Sequence, residues 1–343
     1  MTSPTVLVTG GSGFIAGHVI LQLLDAGYRV RATVRSLAKE PAVREVLTDA
    51  GMTRGDALEF VAADLLDDAG WDAAVAGVDT VMHVASPVMP GHVDDEQQLI
   101  APARDGALRV LRAARDAGVR RVVLTSAFHA VSWGHLHDDH VFTDDDWTVI
   151  DGPGVDAYGK SKTLAERAAW DFVAAEGRGM ELTTLLPVAV MGPVMGDAVS
   201  GSNHIIQNML AGRMPGYPAL YIPVVDVRDV AAAHVAAMTT PEAAGERFLI
   251  ASDPVMSLRE IGATVRAAVG DAAAKVPTRA IPNVVVRLGA LFSPQFRALA
   301  PDLGYRKRFT TEKARRMLGY TARPAVEAIA SAAESMVRRG LIG

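Results

Sequence analysis

The chain has 343 residues, half of them hydrophobic and only 6 % aromatic, which is enough apolar material for one large domain or two of ordinary size. Its 34 Lys and Arg against 39 Asp and Glu give a net charge of −5, and no basic block offers the electrostatic footprint of a nucleic-acid binder. The absence of cysteine excludes disulfides, thiol nucleophiles and cysteine-bound zinc.

The first residues, Met1-Thr2-Ser3-Pro4, lead directly into an apolar run without the basic region and cleavage site of a signal peptide. No stretch approaches the ~20 apolar residues of a membrane span, so a cytoplasmic protein with no membrane partner is expected. Strands are predicted at 5–9, 29–34, 58–62, 80–84, 122–125 and 182–186, with helices at 16–26, 43–50 and 98–117 between them. This alternation predicts a doubly wound parallel sheet of the Rossmann type, with helices on both faces. Runs such as Val6-Leu7-Val8 and Val81-Met82-His83-Val84 are apolar throughout, as a sheet covered on both faces requires. After Pro187 the rhythm breaks. Residues 188–221 are rich in Gly, Met and Pro and show no clear strand, 224–238 reads as a turn and a helix, and 247–251 as one more strand. The expected organisation is a dinucleotide-binding domain over 1–187, rejoined by 222–251, and a smaller, mostly helical substrate lobe from 188–221 and 252–343.

The turn after the first strand reads Gly10-Gly11-Ser12-Gly13-Phe14-Ile15-Ala16. Gly10 suits a tight turn, Gly13 lets the backbone approach a pyrophosphate, and Ala16 lets the helix pack closely on the strand. The N–H groups at the helix start, around Ser12, Phe14 and Ile15, then face the phosphates. NAD sites carry an acidic residue ~20 positions on, but no acid occurs between Asp25 and Glu40. Arg35 stands at the end of the second strand, with Lys39 beyond it; a guanidinium there suits a 2′-phosphate. NADPH is therefore the expected cofactor.

Tyr158 and Lys162 are four residues apart after a Gly/Pro-rich stretch, so they share one helix face. A nearby ammonium favours phenolate and lowers a phenol pKa from about 10, and the tyrosine can then pass a proton to a carbonyl oxygen. Thr125-Ser126 end the strand at 122–125, where a serine hydroxyl can hold a developing alkoxide. His135, His137 and His140 with Asp138 and Asp139 have the spacing of a chelate, but an exposed polar loop is the preferred reading and no metal is assigned. His83 reads as a core histidine. Met191, Met195, Met209 and Met214 with Tyr217 and Tyr221 suit either a variable pocket or filler between lobes. Asp226 and Asp229 are read as helix caps.

These segments together resemble the extended short-chain dehydrogenases/reductases. The resemblance rests on Thr9 to Ile15, Ala63-Asp64-Leu65, His83 to Pro87, Tyr158-Gly159-Lys160-Ser161-Lys162, Leu186 to Pro193 and Asp226 to Val230. Tyr28 to Arg35 is similar to the dihydroflavonol reductase and cinnamoyl-CoA reductase branch with its microbial aldehyde and ketone reductases. The resemblance implies NADPH, with the 2′-phosphate on Arg35 and the adenine beside Asp64 and Leu65. It places Val84, Ala85 and Ser86 along the cofactor and the backbone from Pro187 to Val190 at the nicotinamide; Thr125, at the end of its strand, is also expected near the cofactor. It makes Tyr158 and Lys162 the catalytic pair in reduction of a small ketone or aldehyde. A monomer or homodimer is expected. One departure stands out: the family has Thr-Ser-Ser where this chain has Thr125-Ser126-Ala127. Either Ser126 takes over after a one-residue shift, which is the favoured reading, or Thr125 or His129 supplies the hydrogen bond. The alternative functions are a sugar-nucleotide epimerase or dehydratase and a non-catalytic NADP sensor.

Overall fold

Seven short runs of β-branched and aliphatic residues become the strands of one sheet: β1 (Thr5–Val8), β2 (Arg29–Val34), β3 (Leu58–Ala62), β4 (Thr80–His83), β5 (Arg121–Thr125), β6 (Glu181–Pro187) and β7 (Arg247–Ile250). The computed structural model describes residues 4–87, 95–292, 296 and 299–342. All seven strands are parallel, in the order β3-β2-β1-β4-β5-β6-β7. The fold is thus the expected Rossmann-type α/β arrangement. Chain order reverses between β1 and β4, and sheets of this kind bind ligands at the carboxyl ends of strands where the order reverses.

The pleat sorts side chains to two cores. Val6, Val8, Val30 and Ala32 pack with Val19, Ile20 and Leu23 of helix α1 (Phe14–Asp25). Leu7, Val81, Val122 and Leu124 face the other way, against Val110 and Leu111 of a helix spanning Gln97–Asp116 and Ala169 and Phe172 of one spanning Ala157–Glu176. A third apolar cluster lies in the later sequence. It joins Ile206 and Met209 of the helix Asn203–Leu210, Ile261 and Val265 of Leu258–Val269, and Ile329 and Met336 of Ala325–Arg338. Met191, Met209 and Tyr217 are buried in this cluster, which assigns them to filler.

Residues 188–221 hold more order than their composition suggests. Ala189–Met191 pairs in parallel with Val224–Asp226, which was expected to be a turn, and Tyr221–Ile222 pairs antiparallel with Met256–Ser257. Strands of two or three residues are too short to register as a periodicity of two; their partners in space define them. Asp226 caps the next helix, Val227–Thr239, by accepting from the Arg228 N–H at 2.8 Å. Asp229 instead binds the backbone N–H and guanidinium of Arg323, so it ties two segments together and does not cap.

Candidate active site

The glycine turn is held by its neighbours. Gly10 takes a left-handed φ of 72°, donates its N–H to Thr33 Oγ1 at 2.9 Å, and is followed by Gly11 donating to the Thr33 carbonyl at 2.7 Å. A Cβ at Gly10 would lie 2.9 Å from that of Ala85, and one at Gly13 would lie 3.0 Å from the Gly10 carbonyl oxygen. The loop after β1 therefore touches the loop after β4, where Val84, Ala85 and Ser86 are half-buried and Ala85 donates to Thr9 Oγ1. Gly13 precedes α1 without a side-chain cap, which leaves first-turn N–H groups beside Ser12, Phe14 and Ile15 for an anion. Arg35 and Lys39 are exposed at and beyond the end of β2, and neither has an ion-pair partner among the described residues. Asp64 accepts from the Leu66 N–H, and Leu65 is buried below it. Pro187 ends β6, and Val190 is paired with Val225 beside it.

Tyr158 and Lys162 lie on the first turns of helix Ala157–Glu176, which starts at Asp156 because that carboxylate accepts the Gly159 N–H at 2.7 Å. The Lys162 ammonium sits 5.7 Å from the centre of the Tyr158 ring. Neither the phenol oxygen nor the ammonium has a hydrogen-bond partner among the described residues. Burial pushes the Tyr158 phenol up to about 12, with Asp156 adding to the rise. Burial also brings Lys162 down to about 8, opposed by the attraction of Glu166. A lysine at this spacing was expected to lower the phenol. In the folded protein burial raises it instead, so the phenol keeps its proton at neutral pH.

The end of β5 holds the other polar groups. The Ser126 hydroxyl donates to Glu166 Oε2 at 2.6 Å in a buried bond. Glu166 also accepts from Thr184 Oγ1 at 2.8 Å and Arg247 Nε at 2.8 Å. Arg247 is satisfied in turn by the carbonyls of Asp144 and Asp146 and lies 3.6 Å over the Trp147 ring. Thr125 Oγ1 is 2.7 Å from His234 Nε2, and His234 Nδ1 is 2.8 Å from the Val230 carbonyl. Burial lowers His234 to about 4, so the ring is neutral. A carbonyl only accepts, so Nδ1 carries the hydrogen, Nε2 accepts, and the Thr125 hydroxyl is the donor.

Against the family models, residues 6–251 match the NAD dependent epimerase/dehydratase family. The chain belongs to this family, the extended short-chain dehydrogenases/reductases. It is 38 % identical to cinnamoyl-CoA reductase 1 of Arabidopsis thaliana over 252 residues, 72 % of this chain and 70 % of the relative. It is 32 % identical to the ketoreductase azaE of Aspergillus niger over 351 aligned positions, 97 % of this chain and 98 % of the relative. Among solved structures, Gre2 of Candida albicans in complex with NADPH superposes with a TM-score of 0.81 at 26 % identity, covering 98 % of this chain and 99 % of that one.

Several residues of this family member carry weight that sequence reasoning did not give them. Glu166 continues the spacing of Tyr158 and Lys162 by one more helical turn, a signal that was available. Arg247, Thr184 and His234 become visible only when β6, β7 and the helix Val227–Thr239 come together. His83 is buried beside Thr9 Oγ1 at 2.9 Å. In the loop after β5, His135 meets the Trp147 carbonyl at 3.0 Å, His140 meets Asp146 at 3.0 Å, and His137 stacks on Tyr305. These three rings serve separate partners. Beside them Trp133, Gly154, Tyr305 and Lys307 help to line a cavity of about 240 Å³.

Proposed function

We propose that the chain is an NADPH-dependent carbonyl reductase acting on a small ketone or aldehyde. The observation that carries this reading is the Tyr158–Lys162 pair, half-buried on one helix face, with neither the phenol oxygen nor the ammonium hydrogen-bonded among the described residues. The residues present fit the cofactor: a Cβ at Gly10 or Gly13 would fill the cradle, α1 opens without a side-chain cap, and Arg35 and Lys39, without an ion-pair partner among the described residues, suit a 2′-phosphate. When bound, NADPH supplies the hydride that reduces the carbonyl carbon.

The chain's own residues do the rest. Tyr158, protonated at neutral pH, donates its phenol proton to the carbonyl oxygen. Lys162 places positive charge beside the phenolate left behind and so lowers the cost of that transfer. Asp64, Leu65 and the 84–86 segment line the adenosine side, and the Pro187–Val190 backbone borders the ring that must face the substrate. The cavity of about 240 Å³ beyond Trp133 and the helical lobe supply the substrate wall. Relatives named as reductases at 38 % and 32 % identity, together with the missing acid after β2, favour reduction over sugar epimerisation.

The test is absorbance-followed NADPH oxidation with a panel of aldehydes, α-keto esters and aryl ketones, run beside NADH. Turnover with NADPH well above NADH, reduced 10²- to 10⁴-fold by Tyr158→Phe, is the expected outcome. Binding of NADPH without turnover of any carbonyl would sink the reductase reading in favour of a sensor.

A further inference from the structure

Reduction of a carbonyl needs a second hydrogen-bond donor at the oxygen, because one proton donor cannot by itself hold and orient a developing alkoxide. Three side chains at the end of β5 are candidates, and two are already committed. The Ser126 hydroxyl spends its hydrogen on Glu166 at 2.6 Å, and the Thr125 hydroxyl spends its hydrogen on His234 at 2.7 Å. Position 127, where the family's second serine would stand, is alanine and has no donor.

The third candidate is His129. It lies on a helical turn at Phe128–Ala130, and its own carbonyl is pinned by the Thr148 hydroxyl at 2.7 Å. Its ring meets the Tyr158 ring edge-on, with centres 4.9 Å apart, and stacks on Trp133 at 3.8 Å. Lys307 also lies over Trp133, its ammonium 3.2 Å from the ring centre. The imidazole is thus clamped in one orientation against the proton donor. Its ring nitrogens have no hydrogen-bond partner among the described residues.

We propose that His129 supplies the hydrogen bond to the substrate oxygen that a serine at 127 would otherwise give. This rests on the reductase reading and deepens it. In the step, the cofactor's hydride forms the new C–H bond, the carbonyl π pair moves to oxygen, and the Tyr158 proton neutralises that oxygen. His129 transfers nothing; its N–H donates to the oxygen throughout. Burial, with the cations Lys307 and Lys162, holds the imidazole neutral, its pKa brought down to about 3. A neutral ring keeps one N–H donor and adds no charge to a site that already holds two lysines.

The experiment compares wild type, His129→Phe, and the double variant Ala127→Ser/His129→Phe. Phenylalanine keeps a ring against Trp133 and Tyr158, and a thermal melt of each variant verifies folding. His129→Phe is expected to lower kcat about 100-fold or more with NADPH affinity unchanged. The added serine is expected to restore at least a tenth of wild-type kcat. A second readout needs no turnover: an unreactive carboxamide analogue of the best substrate, titrated into the NADPH-loaded protein by calorimetry. It should bind about tenfold more weakly to His129→Phe and recover in the double variant. A folded His129→Phe with kcat and analogue affinity within threefold of an active wild type would overturn this inference and leave the reductase reading standing, as would a double variant no better than the single. A wild type that reduces no carbonyl would overturn both.

Discussion

Ser126 donates its hydroxyl hydrogen to the carboxylate of Glu166 at 2.6 Å, in a bond sealed between β5 and the helix that carries Tyr158. With its hydrogen committed there and His129 proposed to hold the substrate oxygen, Ser126 is a positioning residue. Ser126→Ala should cost about 1.5–3 kcal/mol, the range for a hydrogen bond to a charged group, and lower the melting temperature by a few degrees. Its kcat should stay within about threefold of wild type. A hundredfold loss of kcat at unchanged melting temperature would return the substrate oxygen to Ser126 and count against His129.

Glu166 joins β5, β6 and β7 through Ser126, Thr184 and Arg247. Removing one member of a buried ion pair strands the other charge, so Glu166→Gln should destabilise the protein by about 3–5 kcal/mol in urea unfolding. Glu166 is also the group that raises Lys162. Its loss should therefore move the alkaline limb of the kcat–pH profile toward lower pH. An unshifted limb would show that Lys162 does not govern it.

Arg35 is exposed just past the end of β2 and has no ion-pair partner among the described residues. Replacement by alanine should weaken NADPH binding about 10- to 100-fold, as expected for a charge-assisted pair with phosphate, and leave NADH binding within about twofold. The preference for NADPH should also become less sensitive to added salt. Equal losses for both cofactors would place Arg35 away from the 2′-phosphate.

Lys162 ionises at about 8 in the folded protein without cofactor, against 10.5 for the ordinary side chain. Between these values the unfolded chain binds a proton that the folded chain does not, so raising the pH favours the folded state. Below about pH 8 the cost of burying the ammonium is felt in full. Lys162→Met should therefore be more stable than wild type at pH 7, by on the order of 1–3 kcal/mol, and the margin should shrink toward pH 10. Paired melts at the two pH values measure it. A margin that grows with pH would contradict the direction of the shift.

The sheet was legible because each strand announces itself locally. Val6-Leu7-Val8 is apolar on both faces, and the strand predicted at 5–9 differs from β1 by one residue. The glycine turn and the Tyr158–Lys162 spacing were legible for the same reason: a tight turn and a shared helix face are set within a few residues. The two- and three-residue pairings at Ala189–Met191 and Tyr221–Ile222 were not, since their partners come from distant parts of the chain. The same limit applied at Ser126, where the sequence presented a hydroxyl at the end of a strand. Only the arrival of Glu166 from the following helix, itself held by Arg247 from the last strand, decided where that hydrogen goes. Burial worked likewise on Tyr158, whose lysine neighbour was visible in the sequence while the desolvation that raises its phenol was not. The chain's local order thus determined the fold, the glycine turn and the shared helix face of Tyr158 and Lys162. Protonation and the commitment of each polar hydrogen were decided by packing, because hydrogen-bond partners and solvent exclusion depend on elements far apart in sequence, Thr125 and His234 by 109 residues.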